Sequence, residues 1–266
     1  MSWEFTLTQK SVPKLHNPIL IEGLPGIGNV GKIAADFIID NLKATKLYDV
    51  FSHDLPNSVF VNEENIVELP TIEIFVKRFK RGKNDILILT GDVQPAEERG
   101  SYEFSDRIVD IAKELGVVQI ITLGGIGLPE IPPDPRVFCT GNDKTAVDQF
   151  ANGTHVKTNL YDVVGPIIGV TGILLGLARR KGVPGVCLLA ETFGHPAYLG
   201  VRGSRALVNI LDKKIHLGVK IKALDAEISD LESEGTLEQS GKKSTSLKKV
   251  RRIAETAVKK ETNYIG

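Results

Sequence analysis

The residues best placed to do chemistry lie in "ILIEGLPGIGNVGKIAADFIIDNL", residues 19–42, where Gly26, Gly28 and Gly31 stand at G-x-G-x-x-G spacing. Between a strand and a helix, that spacing lets backbone N–H groups approach a pyrophosphate at a helix N-terminus. Gly26, Gly31 and Lys32 also fit G-x-x-x-x-G-K, but the next residue is Ile33, which has no hydroxyl to hold magnesium. A dinucleotide site needs an acid about 20 residues further on for the ribose. The candidate is Asp49 in "KLYDVF", with no convincing second strand to present it. A tight strand-to-helix turn, packing the helix closely on a sheet, explains the same glycines.

Other groups could supply acid, base or nucleophile. Asp92, Glu97, Glu98 and Glu191 are possible site carboxylates, with Glu130 and Asp134 in the Pro-rich "GLPEIPPDP". Paired carboxylates in one cleft can do acid and base work, but Glu97 and Glu98 also suit the positive end of the helix that follows them. His195, in "ETFGHPAYLG", follows a strand end near Glu191 and forms the most enzyme-like pairing in the chain. His16, His53, His155 and His216 have no ligand spacing, so no metal is expected. Cys139 and Cys187 sit far apart in apolar strand-like runs and read as buried reduced thiols. No G-x-S-x-G elbow is present.

The elements that must position these residues follow from periodicity. Residues 19–42 read as strand, glycine turn and helix, with Ile33, Phe37, Ile38 and Leu42 along one face. The stretch "SVFVNEENIVELPTIEIFVKRFKRGKNDILILTGD" reads as consecutive strands with hairpin turns, which departs from a simple dinucleotide-binding fold. Alternation then resumes. "DILILTGD", "VVQIITLGG", "RVFCTGND" and "VPGVCLLAE" are strands; "SYEFSDRIVDIAKELG" and "VVGPIIGVTGILLGLARRKG" are helices. An α/β sheet with helices on both faces results, and its glycine-rich turns fall at the carboxyl ends of strands, where a ligand crevice belongs.

The last sixty residues differ. Residues 204–234 have a helical pattern in which Leu217, Ile221, Leu224, Ile228 and Leu231 form a short heptad seam for oligomer or helix packing. "EQSGKKSTS" interrupts it, and a basic helix resumes with Lys248, Lys249, Arg251 and Arg252. The chain thus divides into an α/β core, residues 1–203, and a C-terminal helical extension with a flexible tail, residues 204–266.

With 33 basic and 33 acidic residues the formal charge is zero, which gives no general nucleic-acid footprint. The basic helix also lacks the interleaved aromatics that stack on bases. No apolar run reaches the 18 to 20 residues, roughly, of a membrane helix. The first twenty residues hold no signal-peptide pattern. A cytoplasmic protein is the expectation, with neither nucleic-acid nor membrane partners.

Taken in order, "IEGLPGIGNVGKIAADFIIDNL", "LTGDVQP", "ITLGGIG" and "GVTGILLGLARRKGVPGVCLLAET" resemble the PAC2 family, the proteasome assembly chaperones and their archaeal homologues. The resemblance spans roughly residues 15–235. It implies a three-layer α/β/α core similar to the phosphorylase/hydrolase-like fold, no catalytic site, no cofactor, and assembly as a homo-oligomer. It also implies a chaperone-like role in which the C-terminal helices and tail bind the α subunits of the 20S proteasome. Such tails often end in a hydrophobic residue, Tyr and one further residue. Here "KKETNYIG" puts Tyr264 third from the end, before Ile265 and Gly266, one place off that pattern. The alternative is a nucleotide- or phosphate-binding enzyme of small molecules that uses the glycine loop from Gly26 to Gly31.

Overall fold

The computed structural model describes residues 3–80, 82–159 and 165–221. Ten strands and five helices are found among them. The strands are β1 (Trp3–Leu7), β2 (Ile19–Gly23), β3 (Thr45–Ser52), β4 (Phe60–Val61), β5 (Val67–Glu68), β6 (Ile72–Lys77), β7 (Ile86–Gly91), β8 (Gln119–Leu128), β9 (Val137–Gly141) and β10 (Gly185–Phe193). The helices are α1 (Val30–Leu42), α2 (Glu98–Glu114), α3 (Lys144–Ala151), α4 (Val170–Arg180) and α5 (Val201–Ile215).

Eight strands form one sheet in the order β1-β3-β6-β7-β2-β8-β10-β9, and β4 and β5 pair as a separate hairpin. The four central strands β7, β2, β8 and β10 run parallel. Every residue of β2 and β7 is buried, as a parallel sheet covered on both faces requires. Antiparallel strands flank this centre, β6, β3 and β1 on one side and β9 on the other.

Side-chain alternation divides the apolar residues into two cores. Ile21, Ile88, Ile121 and Leu188 face α1, α3 and α5, which contribute Ile38, Phe150 and Leu211. Leu20, Leu87, Ile120 and Cys187 face α2 and α4, which contribute Phe104, Ile108 and Leu174. The chain is therefore a mixed α/β protein in three layers, as its sequence pattern and family resemblance imply. Trp3 from β1 reaches over the second core to Phe104, with ring centroids 4.6 Å apart. Phe104, fully buried, contributes roughly 1.5–3 kcal/mol by removal from water.

Two local differences from the sequence pattern have clear causes. Residues 45–52 form a strand although Thr45, Lys46 and Asp49 interrupt their apolar run, because antiparallel partners β1 and β6 hold both edges. The apolar spacing across residues 204–234 predicts one helix, but α5 stops at Ile215. His216 turns into the left-handed region at φ 54°, and Gly218 follows at φ 78°. The Asp212 carboxylate accepts from the Gly218 and Val219 amides at 2.6 and 3.2 Å, so the turn satisfies the groups that another helical turn would have paired. Among the described residues no helix is long and apolar enough to cross a membrane.

Candidate functional site

A cleft of about 860 Å³ opens at the carboxyl ends of β2, β8 and β10. This is the edge where open α/β sheets hold ligands, because helices following neighbouring strands leave on opposite faces and a crevice remains between them. One wall is the turn after β2, with Leu24, Gly26 and Ile27; the floor is the glycine-rich end of β8; the other wall is residues 165–169 and Thr171 at the start of α4. Gln94 ties the walls together. Its Nε2 donates to the Pro25 carbonyl at 2.5 Å and its Oε1 accepts from the Val170 amide at 3.0 Å.

The glycine loop divides into residues with separate duties. Gly28 sits at φ 62° in a single 3-10 turn, Ile27–Asn29, and its carbonyl accepts from Gly200 N at 2.8 Å. Gly31 lies against β8 so closely that a Cβ would collide with the Leu123 carbonyl. Gly23 is packed equally hard against the Gly31 carbonyl and Ala35. These are the demands of a helix seated directly on a sheet. Lys32, which a phosphate loop would aim at its ligand, is 2% exposed and pairs with Asp36 at 2.8 Å inside α1. Asp36 also accepts from the Thr90 hydroxyl at 2.8 Å. Asp49 occupies β3, separated from β2 by β6 and β7, and engages Lys46 at 2.8 Å. The two groups a nucleotide would need are thus both committed elsewhere.

Beneath the cleft lies an acid that the motif reading passes over. Glu22, on β2, is 0% exposed. Strand register puts it beside Thr122 on β8, which is beside Cys187 on β10, a row facing α4. One carboxylate oxygen accepts from the Leu24 amide at 3.0 Å; the other has no hydrogen-bond partner. Burial pushes its pKa up to about 7, while the Leu24 amide, the nearby Thr171 side chain and the Leu123 backbone pull it back in part. Burial likewise pushes the Cys139 and Cys187 thiols up to about 12, so both are neutral and poor nucleophiles, as inert buried thiols should be.

The remaining candidates are not assembled into one catalytic set. Glu191 is buried and held by Arg136, whose backbone N–H and Nε each donate to it at 2.8 Å. His195 is exposed, stacks on Phe193 at 5.7 Å, and accepts from the Ala197 amide through Nδ1. The expected Glu191–His195 pairing is therefore replaced by Glu191–Arg136. Asp92 accepts from the Thr71 amide and hydroxyl and fastens the β6–β7 ladder. Glu97 precedes α2 and Glu98 lies in its first turn. Glu130 and Asp134 are exposed in their loop. Among the described residues no group of three His, Cys, Asp or Glu could hold a metal.

Of the heptad positions, Leu217 is 2% exposed and belongs to the core of α1 and α5, outside any helix; Ile221 packs partly against the same core. The Lys220 amide donates to Asn41 at the end of α1, fixing this segment to the domain. Leu224, Ile228, Leu231, Tyr264, Ile265 and Gly266 lie outside the described residues.

The PAC2 family model matches residues 20–235. This chain belongs to the PAC2 family. Among solved structures, the PAC2 chain is similar to Pyrococcus furiosus PbaB, an archaeal proteasome activator, with a TM-score of 0.81 and 30% identity over 90% of this chain and 99% of that one. It is also similar to PbaA of the same organism, an archaeal homolog of proteasome-assembly chaperone, at TM-score 0.72 and 25% identity over 97% and 99% of the two chains. An uncharacterized protein of Methanocaldococcus jannaschii is 27% identical over 228 residues, 84% of this chain and 83% of its own length. The PAC2 match begins at β2 and includes the glycine turn, so the packing duties of Gly23, Gly28 and Gly31 lie within the family region.

Proposed function

We propose that this PAC2 protein is a non-enzymatic, chaperone-like factor of the proteasome that self-associates and binds 20S α subunits through its C-terminal helices and tail. The observation that carries this reading is the likeness to PbaB, a proteasome activator, across 99% of that chain at 30% identity. The likeness to PbaA, a homolog of proteasome-assembly chaperone, supports the same class. The site adds weight by what its side chains already do: Lys32, Glu191 and the two thiols are held in internal pairs or apolar cover.

In this proposal Tyr264 supplies an aromatic anchor and Ile265 an apolar one, with Gly266 following. A single tail of this size binds weakly, and several tails on one oligomer bind through effective concentration. The experiment is capture of 20S α subunits by the full chain and by a chain ending at Thr262. The full chain is expected to capture and the shortened one to lose most of it. Equal capture overturns the tail, and capture by neither overturns the proteasome partner. Light scattering tests self-association, which the mass of a single chain would refute.

A further inference from the structure

We propose that the cleft above Glu22 is a binding site for a small ligand with a mainly aliphatic body and one hydrogen-bond donor. The inference is independent of the proteasome reading. Its first support is an emptiness that packing does not explain. Among the described glycines, Gly26, Gly165 and Gly176 alone have no atom within 4 Å of an added Cβ and no left-handed φ. Backbone geometry does not require glycine at these three places, and two of them, Gly26 and Gly165, line the cleft. A side chain at either would occupy the space that the glycines leave open.

The lining specifies the ligand. Leu24, Ile27, Leu123, Ile126 and Ile167 give it aliphatic walls, and Ile27 and Ile168 at the surface are 50% and 86% exposed. A cleft of about 860 Å³ falls within the usual size of small-molecule sites, which combine apolar walls with a few polar groups. None of the described lining residues is charged, so an anion finds no counter-charge. Gln94 spends both ends of its amide on the walls. The polar direction that remains is through Thr171, whose side chain lies near the Glu22 carboxyl. Thr171 itself lines that wall, and its hydroxyl oxygen offers lone pairs that accept from a ligand's donor. The unpartnered oxygen of Glu22, fully buried below, is a further acceptor once the acid is ionised.

Titration calorimetry with octylamine, 1-octanol and octanoate tests the proposal on the full chain. Octylamine and octanol should bind saturably at one site, and octanoate at least tenfold more weakly. Octylamine should tighten between pH 6 and pH 8, because its ammonium favours the ionised acid, whereas octanol should not. The groups facing Glu22 are Leu89 from β7, Thr122 from β8, Cys187 from β10 and Thr171 from α4, none charged in that range. Glu22→Gln should remove the pH dependence. Gly26→Phe should weaken both ligands at least tenfold, with Gly165→Phe as a second block, while Gly176→Phe on the exposed side of α4 should leave both unchanged. Saturation by none of the three probes, octanoate binding as tightly as octylamine, or blocking variants without effect would each overturn the proposal.

Discussion

Glu22→Gln offers a quantitative test of the buried acid, read in stability. The wild-type carboxyl has a pKa of about 7 in the folded chain against 4.5 for an exposed glutamate, and it is fully buried, so solvent screening does not dilute the shift. The native state holds the proton more tightly than the unfolded state. Stability from this group is therefore greatest below 4.5, falls as pH rises between 4.5 and 7, and levels off above that range. At about 1.36 kcal/mol per pKa unit, the full loss is roughly 3.4 kcal/mol, of which about 2.5 kcal/mol falls between pH 5 and pH 8. Glutamine cannot ionise. It keeps an acceptor for the Leu24 amide and buries an N–H that costs about 1–3 kcal/mol at every pH if it finds no partner. The variant's stability relative to wild type should therefore rise by about 2.5 kcal/mol from pH 5 to pH 8, whatever its absolute value. Urea unfolding followed by Trp3 fluorescence measures this directly, since Trp3 is the only tryptophan and is buried. Other titrating groups cancel in the difference. A difference that stays constant within about 0.5 kcal/mol would refute the assignment of Glu22 as a dry, near-neutral acid.

Two further outcomes follow from buried groups. Asp36→Ala leaves the Lys32 ammonium buried without its carboxylate and should cost about 3–5 kcal/mol in urea unfolding. A loss below about 1 kcal/mol would mean that Lys32 escapes to water. Cys139 and Cys187 should resist a thiol-specific aromatic disulfide at pH 8 in the folded chain and both react in urea, because burial disfavours the thiolate. Rapid labelling of either in the folded chain would contradict that burial.

The parts of the fold legible in sequence are those whose pattern is local. "ILIEG" and "ILILTG" are apolar on both faces and become the doubly covered strands β2 and β7. Helix α2 shows its face directly through Phe104, Ile108 and Ala112. The parts that were not legible depend on distant partners. Strand β3 carries Thr45, Lys46 and Asp49, and becomes a strand by pairing with β1 and β6 on its two sides. Leu217 and Ile221 continue a helical spacing, yet Gly218 between them was a visible stop signal, completed by the Asp212 cap. Helix α3 carries little helical signal in its sequence because its 8 residues bury only Ala146 and Phe150. At the site, the glycine spacing located the cleft but misdirected its chemistry. Spacing reports where backbone approaches closely; it does not report that Lys32 turns inward to Asp36. Glu22 was visible as an acid within a wholly apolar strand, whereas Thr171 and Gln94 meet the loop only through the third dimension.

The place of β2 in the sheet also bears on folding, through the sequence distance to its partners. It lies in the sheet's parallel centre, yet its neighbours are β7, beginning at Ile86, and β8, where Ile19 pairs with Gln119 a hundred residues away. A chain emerging from its N-terminus displays "ILIEGL" well before either partner exists. Pairings this distant in sequence slow folding and prolong the exposure of apolar strand edges. The antiparallel neighbours β3, β6 and β7 lie within residues 45–91 and can meet first. They give β2 an edge to join, and β8 and β10 close the sheet only after most of the core has been synthesised.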